Sequence, residues 1–552
     1  MPVLFFCTWI LASPQAPTEL SWRMEVDASG TRLLQEQRIP GGLRLRDARS
    51  GRAAVVSSPR WTDPDNGLAW IGQSVAVGDS GSTVLGGKAL NNESVTAYAA
   101  GSADYLFDLP VVGSEAPQVC VARRAPRAAA YTVFDVDPDP LILDYEGRVE
   151  VYDTTGDGTP LWSLVFPPTE NWFGGGVALS DDASVIVAWK ADPTLGALRV
   201  EAFTGDGLSL SSGQLSSGTD FHARQARLSA DGSRMYFNIG LEALVYDVAS
   251  SSVLYRHYIG GSFDSHAFSG DGATFAYGFF GFFSVVRETS PGVWSTVATE
   301  FFPSDTYISW LDLDATGDHL AYQVQRFTPA WDHIELGLYE VSTDSHLFQA
   351  SWDAPGTLYQ LVASGVRVDE AGERVAGICW GDSLNLTPEA VVYDAAGNSL
   401  AALDTSGSAM ALDLDADGDV LAVGTKAVHA NVFGNGGEIL LSDAAFQELH
   451  LLGVPRLGAS LDLEIQGPPS GEARLLLSAA LTSSAGSLEI DLGSLLGDSG
   501  WLPLDASGAL ARPVAVPAQA SLAGRLAHAE AVLRDPQGIL STSNKVSLRL
   551  IP

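Results

Sequence analysis

The sequence predicts an all-β protein whose larger part is a ring of four-stranded units, and three observations support this. First, a hairpin phrase recurs: ARLSADGSRMYF at 226–237, LDLDATGDHLAY at 311–322 and LDLDADGDVLAV at 412–423. Aligned on the small residue of the turn, its copies fall at Gly30, Gly81, Ala125, Ala183, Gly232, Gly272, Gly317, Gly372 and Gly418, 40 to 58 residues apart. One four-stranded blade of a β-propeller takes about 40–50 residues. Second, a further hairpin follows many copies, as at 43–56, 149–162, 244–255, 391–403 and 439–449. Two hairpins make the four strands of a blade. Third, the chain of 552 residues is 46% hydrophobic and carries 57 glycines, enough for a large core and many tight turns. Closed rings typically hold four to eight blades. The nine copies therefore predict eight blades with one copy counted in excess, within a range of seven to nine.

Each phrase has the same grammar. Two or three alternating apolar residues form an inner strand, Asp or Ser follows, and a loop of small and acidic residues ends in Gly. Asp and Ser bond their own backbone at turns, and Gly takes the positive φ of the reversal. The copies around Gly81 and Ala125 depart furthest; VCVARRAPRAAAY (119–131) lacks the Asp-Gly turn altogether. The apolar run FAYGFFGFFSVV (275–286) is broken by Gly278 and Gly281 and reads as two blade strands, not a membrane span.

Over residues 22–452 these phrases resemble those of the WD40-like and YVTN-type propellers of exported bacterial proteins. The Gly-His pair of eukaryotic WD40 blades is absent, and Trp-Asp occurs only at 331–332 and 352–353 instead of once per blade. The resemblance implies the fold and an exported setting; it implies no activity, since one fold hosts many functions. After Leu452 the grammar changes. The runs SLDLEIQ, EARLLLSAA, SLEIDLG, PVAVP and KVSLRLIP, separated by Gly, Pro and Ser, predict a β-sandwich over 453–552. LAGRLAHAEAVL has helical propensity, but its neighbours favour a strand. This region resembles a small module that ends many large exported bacterial proteins, through Gly458, Gly508, Pro517, Gly524, Ser543 and Asn544. Surface attachment or a structural cap is what that resemblance implies.

The N-terminal run VLFFCTWILA (3–12), followed by SPQA, has the length of a signal-peptide core and is too short to span a bilayer. Residues 1–16 are read as a signal peptide from a start that lacks the basic region, with a buried first strand as the alternative. The mature chain is then secreted or held at the cell surface. A formal charge of −35 argues against nucleic-acid or anionic-membrane partners, both of which would repel it. Lysine occurs only at positions 88, 190, 426 and 545, and such an acidic, lysine-poor surface also arises from a GC-rich genome or a salty habitat. Cys120 and Cys379 fall in units far apart around the ring, so two free buried thiols are expected instead of a disulfide.

Four residue classes could carry chemistry. Asp413, Asp415 and Asp417 with Gly418 read D-x-D-x-D-G, the opening of a calcium loop, but the twelfth position, where an EF-hand places Glu, is Gly424. Asp153-Thr155-Asp157 and Asp135-Asp137-Asp139 are looser versions, and the same acids sit at turns that every blade needs. GDSGS (78–82) and GDSGW (497–501) imitate a protease nucleophile motif without its base, and a serine without a base is a weak nucleophile. The nine histidines show no metal-binding spacing; strand alternation parts Asp332 from His333 and Glu335. Trp172, Phe173, Trp310 and Trp331 fall near blade starts, either stacking on a sugar or peptide at the loop-rich face or wedging between blades.

The expectation is an exported binding or scaffold module with a protein or glycan ligand on the loop-rich channel face. The alternative is a propeller enzyme, a hydrolase, lyase or quinoprotein-type oxidoreductase, with a discontinuous site at the channel mouth. A third is a structural surface-layer component assembled with calcium. Converging His, Arg and carboxylates at the mouth would favour the enzyme; an apolar plug would favour binding.

Overall fold

The computed structural model describes residues 20–27, 30–39, 42–47 and 53–57 as backbone strands. It describes residues 59–552 apart from 67–74, 90–92, 113, 115–116, 138–143, 170–173, 219, 261–264, 329–330, 354–360, 382–386, 430–435, 445–448 and 482–489. The segment read as a signal peptide, and Trp172 and Phe173, lie outside these residues. Among the described residues the helical structure is confined to two 3₁₀ turns, Leu492–Ser494 and Ala520–Leu522, and no helix is long and apolar enough to cross a membrane.

Eight four-stranded antiparallel sheets form a closed ring, numbered here as blades 1 to 8. They span residues 75–110, 118–169, 176–215, 223–258, 265–301, 306–353, 363–403 and 409–443, the last completed from elsewhere. Their innermost strands are Val75–Gly78, Gln118–Val121, Gly176–Leu179, Ala223–Leu228, Ser265–Phe268, Thr306–Leu313, Ala363–Val368 and Ala409–Leu414. Each touches the innermost strand of the next blade, and the last touches the first. A large apolar cluster fills each of the eight blade interfaces. That between blades 3 and 4, for example, joins Val187, Trp189 and Val200 to Met235, Phe237 and Leu244. The hydrophobic effect acts between blades, so a single blade has no core of its own.

Two expectations need correction. The copy around Gly30 has no place in the ring: residues 20–57 form a separate four-stranded meander. Its last strand, Ala53–Ser57, meets the outer edge of blade 7 by one parallel bridge, Val56 with Ala402. The hairpin at 439–449 does not finish blade 8 either. Trp61–Asn66 is the fourth strand, antiparallel to Gly437–Asp443, while Leu449–Leu452 pairs with Ser460–Gln466 in the C-terminal unit. Closure by a strand from the other end removes the open edge that an uncompleted blade would leave. Pro64 is tolerated because this is an edge strand.

The turn grammar is realised directly. In blade 4 the Ser229 hydroxyl donates to Asp231 Oδ1 (2.7 Å), the Ser233 amide donates to the same oxygen (2.9 Å), and Gly232 takes φ +73°. Blade 3 holds the same conformation with alanine, Ala183 at φ +56°.

The C-terminal residues form two sheets around one core. Leu449–Leu452, Ser460–Gln466 and Ala509–Ala515 make one; Glu472–Ser478, Leu495–Asp498, Leu502–Pro503, Leu526–Arg534 and Leu540–Arg549 make the other. The residues 526–534 are a strand, as their neighbours suggested. The described part of SLEIDLG is not a strand: Asp491 caps the Gly493 amide (2.9 Å) and turns the chain into a 3₁₀ turn. Asn544 bonds both the amide (2.8 Å) and the carbonyl (3.0 Å) of Leu449, tying the first strand to the last. This unit docks against blades 1 and 8 through Arg549 with Asp79, Lys545 with Asp417 (2.6 Å) and the Gly453 amide to the Gly101 carbonyl (2.7 Å).

Candidate functional site

The channel opens at the end where the first-to-second-strand turns lie, as a cavity of about 690 Å³. The residues of the mouth come from one register position. One position of the phrase, five residues before the small residue of the turn, lines the cavity in seven blades: Ala76, Cys120, Ala178, Arg227, Asp312, Arg367 and Asp413, in blade order, whereas Ala267 of blade 5 is buried against blade 6. Flanking residues such as Leu311, Leu313, Leu412 and Leu414 are buried between blades. Period-two alternation thus places four charges on one side of the ring and small residues on the other.

The charges are ordered. Asp312 Oδ2 accepts the Val368 amide of blade 7 (3.0 Å), and Asp413 Oδ2 accepts the Val77 amide of blade 1 (2.8 Å). Arg367 Nε donates to Asp413 Oδ1 (3.2 Å), and Arg123, reaching in from the blade 2 turn, lies 3.5 Å from the same oxygen. These contacts staple blades 6 to 7 and 8 to 1 and 2. Burial raises the Asp312 carboxyl above its ordinary pKa, opposed by Arg367 and the Val368 amide. Burial acts to lower Arg123, but the carboxylates of Asp413, Glu370, Asp181 and Asp312 hold it above its usual value. Burial and the Arg367 guanidinium bring Arg227 down to about 10.

Above this layer the rim is acidic, with Asp181, Asp231, Asp271 and Glu370 on the turns. Burial and the nearby Glu370 push Asp181 up to about 6. Arg124 of blade 2 pairs with Glu370 of blade 7, so one ion pair links turns of blades that are not neighbours. Cys120 lines the wall; burial pushes its thiol up to about 12, far from the reactive range. Neither Cys120 nor Cys379 is in a disulfide.

The three acids of the calcium-like phrase point to three places. Asp413 faces the channel. Asp415 Oδ1 accepts the Asp419 (2.7 Å) and Val420 (2.9 Å) amides, and burial with Asp419 nearby pushes it up to about 7. Asp417 is paired with Lys545. Asp153 takes the Thr155 amide and the Arg127 guanidinium (both 2.9 Å), and Asp157 the Thr159 amide. Asp139 lies outside the described residues. Among the described residues no group of three or more His, Cys, Asp or Glu is placed to hold a metal ion.

His333 bonds Asp353 (2.9 Å), Glu335 meets Tyr322 (3.3 Å) and Asp332 pairs with Arg326 (2.8 Å). In GDSGS the Ser82 hydroxyl donates to its own turn at Asp79 (2.7 Å). Trp310 wedges between blades 6 and 7, with its indole donating to the Ala363 carbonyl (3.2 Å), whereas Trp331 is 44% exposed. Sequence reading named Asp413 for another reason and missed Arg227, Asp312, Arg367 and Arg123. The signal was present: in LDLD, VRVD and ARLS a charge is flanked by buried apolar residues, which marks a strand facing a polar lumen.

No family model and no curated protein matches the chain in sequence. Among solved structures the chain is similar to the propeller of Dos1, at 12% identity over 69% of this chain and 96% of that one, with a TM-score of 0.47. It is also similar to Sqt1 of Saccharomyces cerevisiae, at 9% identity over 70% of this chain and 100% of that one, with a TM-score of 0.47. The chain itself is a β-propeller by the closure of its own eight sheets.

Proposed function

We propose that this chain is an exported recognition or scaffold propeller whose ligand enters the turn-end mouth of the channel. One observation carries the reading: the mouth holds an open cavity whose polar walls come from seven of the eight blades, with an apolar arc facing a charged one. Sites that hold small ligands combine such concavity with a few placed polar groups. Arg and Asp side chains do converge there, which is the feature expected of an enzyme. Their carboxylates, however, are engaged with backbone amides and arginines of the next blades. A general base needs an oxygen within reach of the proton it takes. The convergence nonetheless supports a second reading, a catalytic mouth centred on Asp312.

Binding of arrayed glycans and peptides to the full chain and to Ala178→Trp, which fills the apolar arc, tests the first reading. Ligands are expected to bind the parent and not the filled variant; binding unchanged by the plug refutes the mouth as the site. Turnover of any substrate that Asp312→Asn abolishes, with the fold retained, would establish the second reading. Export is tested by N-terminal sequencing of the protein from its source, where a start near residue 17 is expected and a start at Met1 refutes cleavage.

A further inference from the structure

We propose that the channel mouth takes the carboxylate of a ligand whose remainder is neutral or cationic, and that Arg227 receives it. This rests on the reading of the mouth as a binding site.

The first support is the pairing of the arginines in the channel wall. Arg123, Arg227 and Arg367 line the cavity with Asp312 and Asp413, and Glu370 and Asp181 of the rim also act on Arg123. Arg123 and Arg367 both lie against Asp413, at 3.5 and 3.2 Å. Arg227 has no carboxylate within ion-pair distance among the described residues. Its one hydrogen bond runs from a terminal nitrogen to the Ala226 carbonyl (3.2 Å). A guanidinium has five N–H donors in a planar fork that fits a carboxylate.

The second support is space. On one side of Arg227 around the ring the same position is Ala178, and beyond it come Cys120 and Ala76, all three lining the cavity. Small side chains over this arc leave the open volume beside the unsatisfied fork. Burial, and after it repulsion from Arg367, holds its proton less tightly than usual against the pull of Asp312 and Asp413, and an anion would relieve the repulsion.

The third support is the rim, which narrows the ligand. Asp181, Asp231, Asp271 and Glu370 surround the entrance, and the chain carries a formal charge of −35. Phosphates, sulfates and polyanions are repelled on approach. A single carboxylate on a cationic body meets attraction at both levels, and one on a neutral body is attracted at Arg227 and carries the least charge past the rim. A small organic acid and the C-terminus of a polypeptide share this chemistry.

The experiment is titration calorimetry at low salt on the full chain with three probes: N-acetylglycine, pentaglycine, and pentaglycine amide, which lacks the carboxylate. Each is repeated on Arg227→Met and on Ala178→Trp. Carboxylate probes are expected to bind the parent and to lose at least roughly tenfold in affinity on Arg227→Met, as for loss of a charged hydrogen bond. The amide is not expected to bind. Pentaglycine binding more tightly than N-acetylglycine identifies a chain end; the reverse order identifies a small acid.

Arg227→Met is expected to melt no lower than the parent, because an unpaired guanidinium is removed; a lower midpoint assigns Arg227 a structural role and counts against the proposal. Equal affinity of parent and Arg227→Met for the carboxylate probes overturns it, as does failure of those probes to bind the parent. The two readings separate on the plug. Amide binding that Ala178→Trp abolishes and Arg227→Met leaves intact keeps the mouth and discards the carboxylate. Binding that survives Ala178→Trp discards both.

Discussion

Removing the Asp63 carboxylate should loosen the ring at its seam. Asp63 lies on the closing strand Trp61–Asn66 and is 5% exposed. Its Oδ2 accepts the Tyr98 hydroxyl of blade 1 (2.7 Å) and lies 3.5 Å from Lys88 Nζ, which is 2% exposed. The contact therefore fastens blade 8 to blade 1 through a buried charge. Asp63→Ala deletes a charged hydrogen bond, about 1.5–3 kcal/mol. It also leaves the buried Lys88 with Asp108, 3.8 Å away, as its remaining carboxylate in this pair of contacts. Breaking a buried pair costs about 3–5 kcal/mol, and Asp108 holds the figure near the lower end, ~3 kcal/mol.

A ring of this size need not unfold in one step, so amide hydrogen exchange on the partner strand Gly437–Asp443 is the better assay. The expected opening is roughly a hundredfold more frequent in Asp63→Ala. Asp63→Asn keeps an acceptor for Tyr98 and should show a smaller effect. Exchange within tenfold of the parent, or equal effects of the two substitutions, would refute the assignment of the seam to this carboxylate.

Three further outcomes are expected. Burial pushes Glu389 up to about 8 from 4.5, although the Thr405 amide opposes it. A carboxyl raised on folding contributes stability that is complete below pH 4.5 and is lost as pH rises to about 8, by up to ~1.4 kcal/mol per unit. Glu389→Gln should flatten the melting profile over this window, and a parallel profile would exclude Glu389 as its source. Ala183→Gly should stabilise by about 0.5–1 kcal/mol, since alanine is strained at φ +56°, and a lower melting midpoint would contradict that strain. Arg549→Ala should strand the Asp79 carboxylate, whose side chain is fully buried, and free the C-terminal unit to proteolysis; an unchanged digestion pattern would show that other contacts hold it.

The repeat was legible because its signal is local. Gly232, Gly272, Gly317, Gly372 and Gly418 all take the positive φ that the phrase requires. Membership of the ring was not, because a hairpin says nothing about which hairpin will lie beside it. The copy at Gly30 obeys the same grammar and sits outside, while the closing strand, with Asp63-Pro64-Asp65, reads as a turn. The calcium-like acids were legible as turn residues; their divergence to the channel, the turn and Lys545 depends on partners distant in sequence. Arg227 and Asp312 lie 85 positions apart and share a wall only after the ring closes.

That closure also sets an order of events during synthesis. The closing strand leaves the ribosome before any blade, yet its partner Gly437–Asp443 follows some 370 residues later. At ordinary elongation rates of about 5–20 residues per second, the wait is roughly 20 to 75 s. Throughout it, Trp61–Asn66 has no ladder and the growing arc has an open end at blade 1. Ring completion is therefore a long-range, late step, the kind that topology makes slow. A nascent chain that stalls within blade 8 exposes two unpaired surfaces at once, and these could join two molecules into a swapped pair.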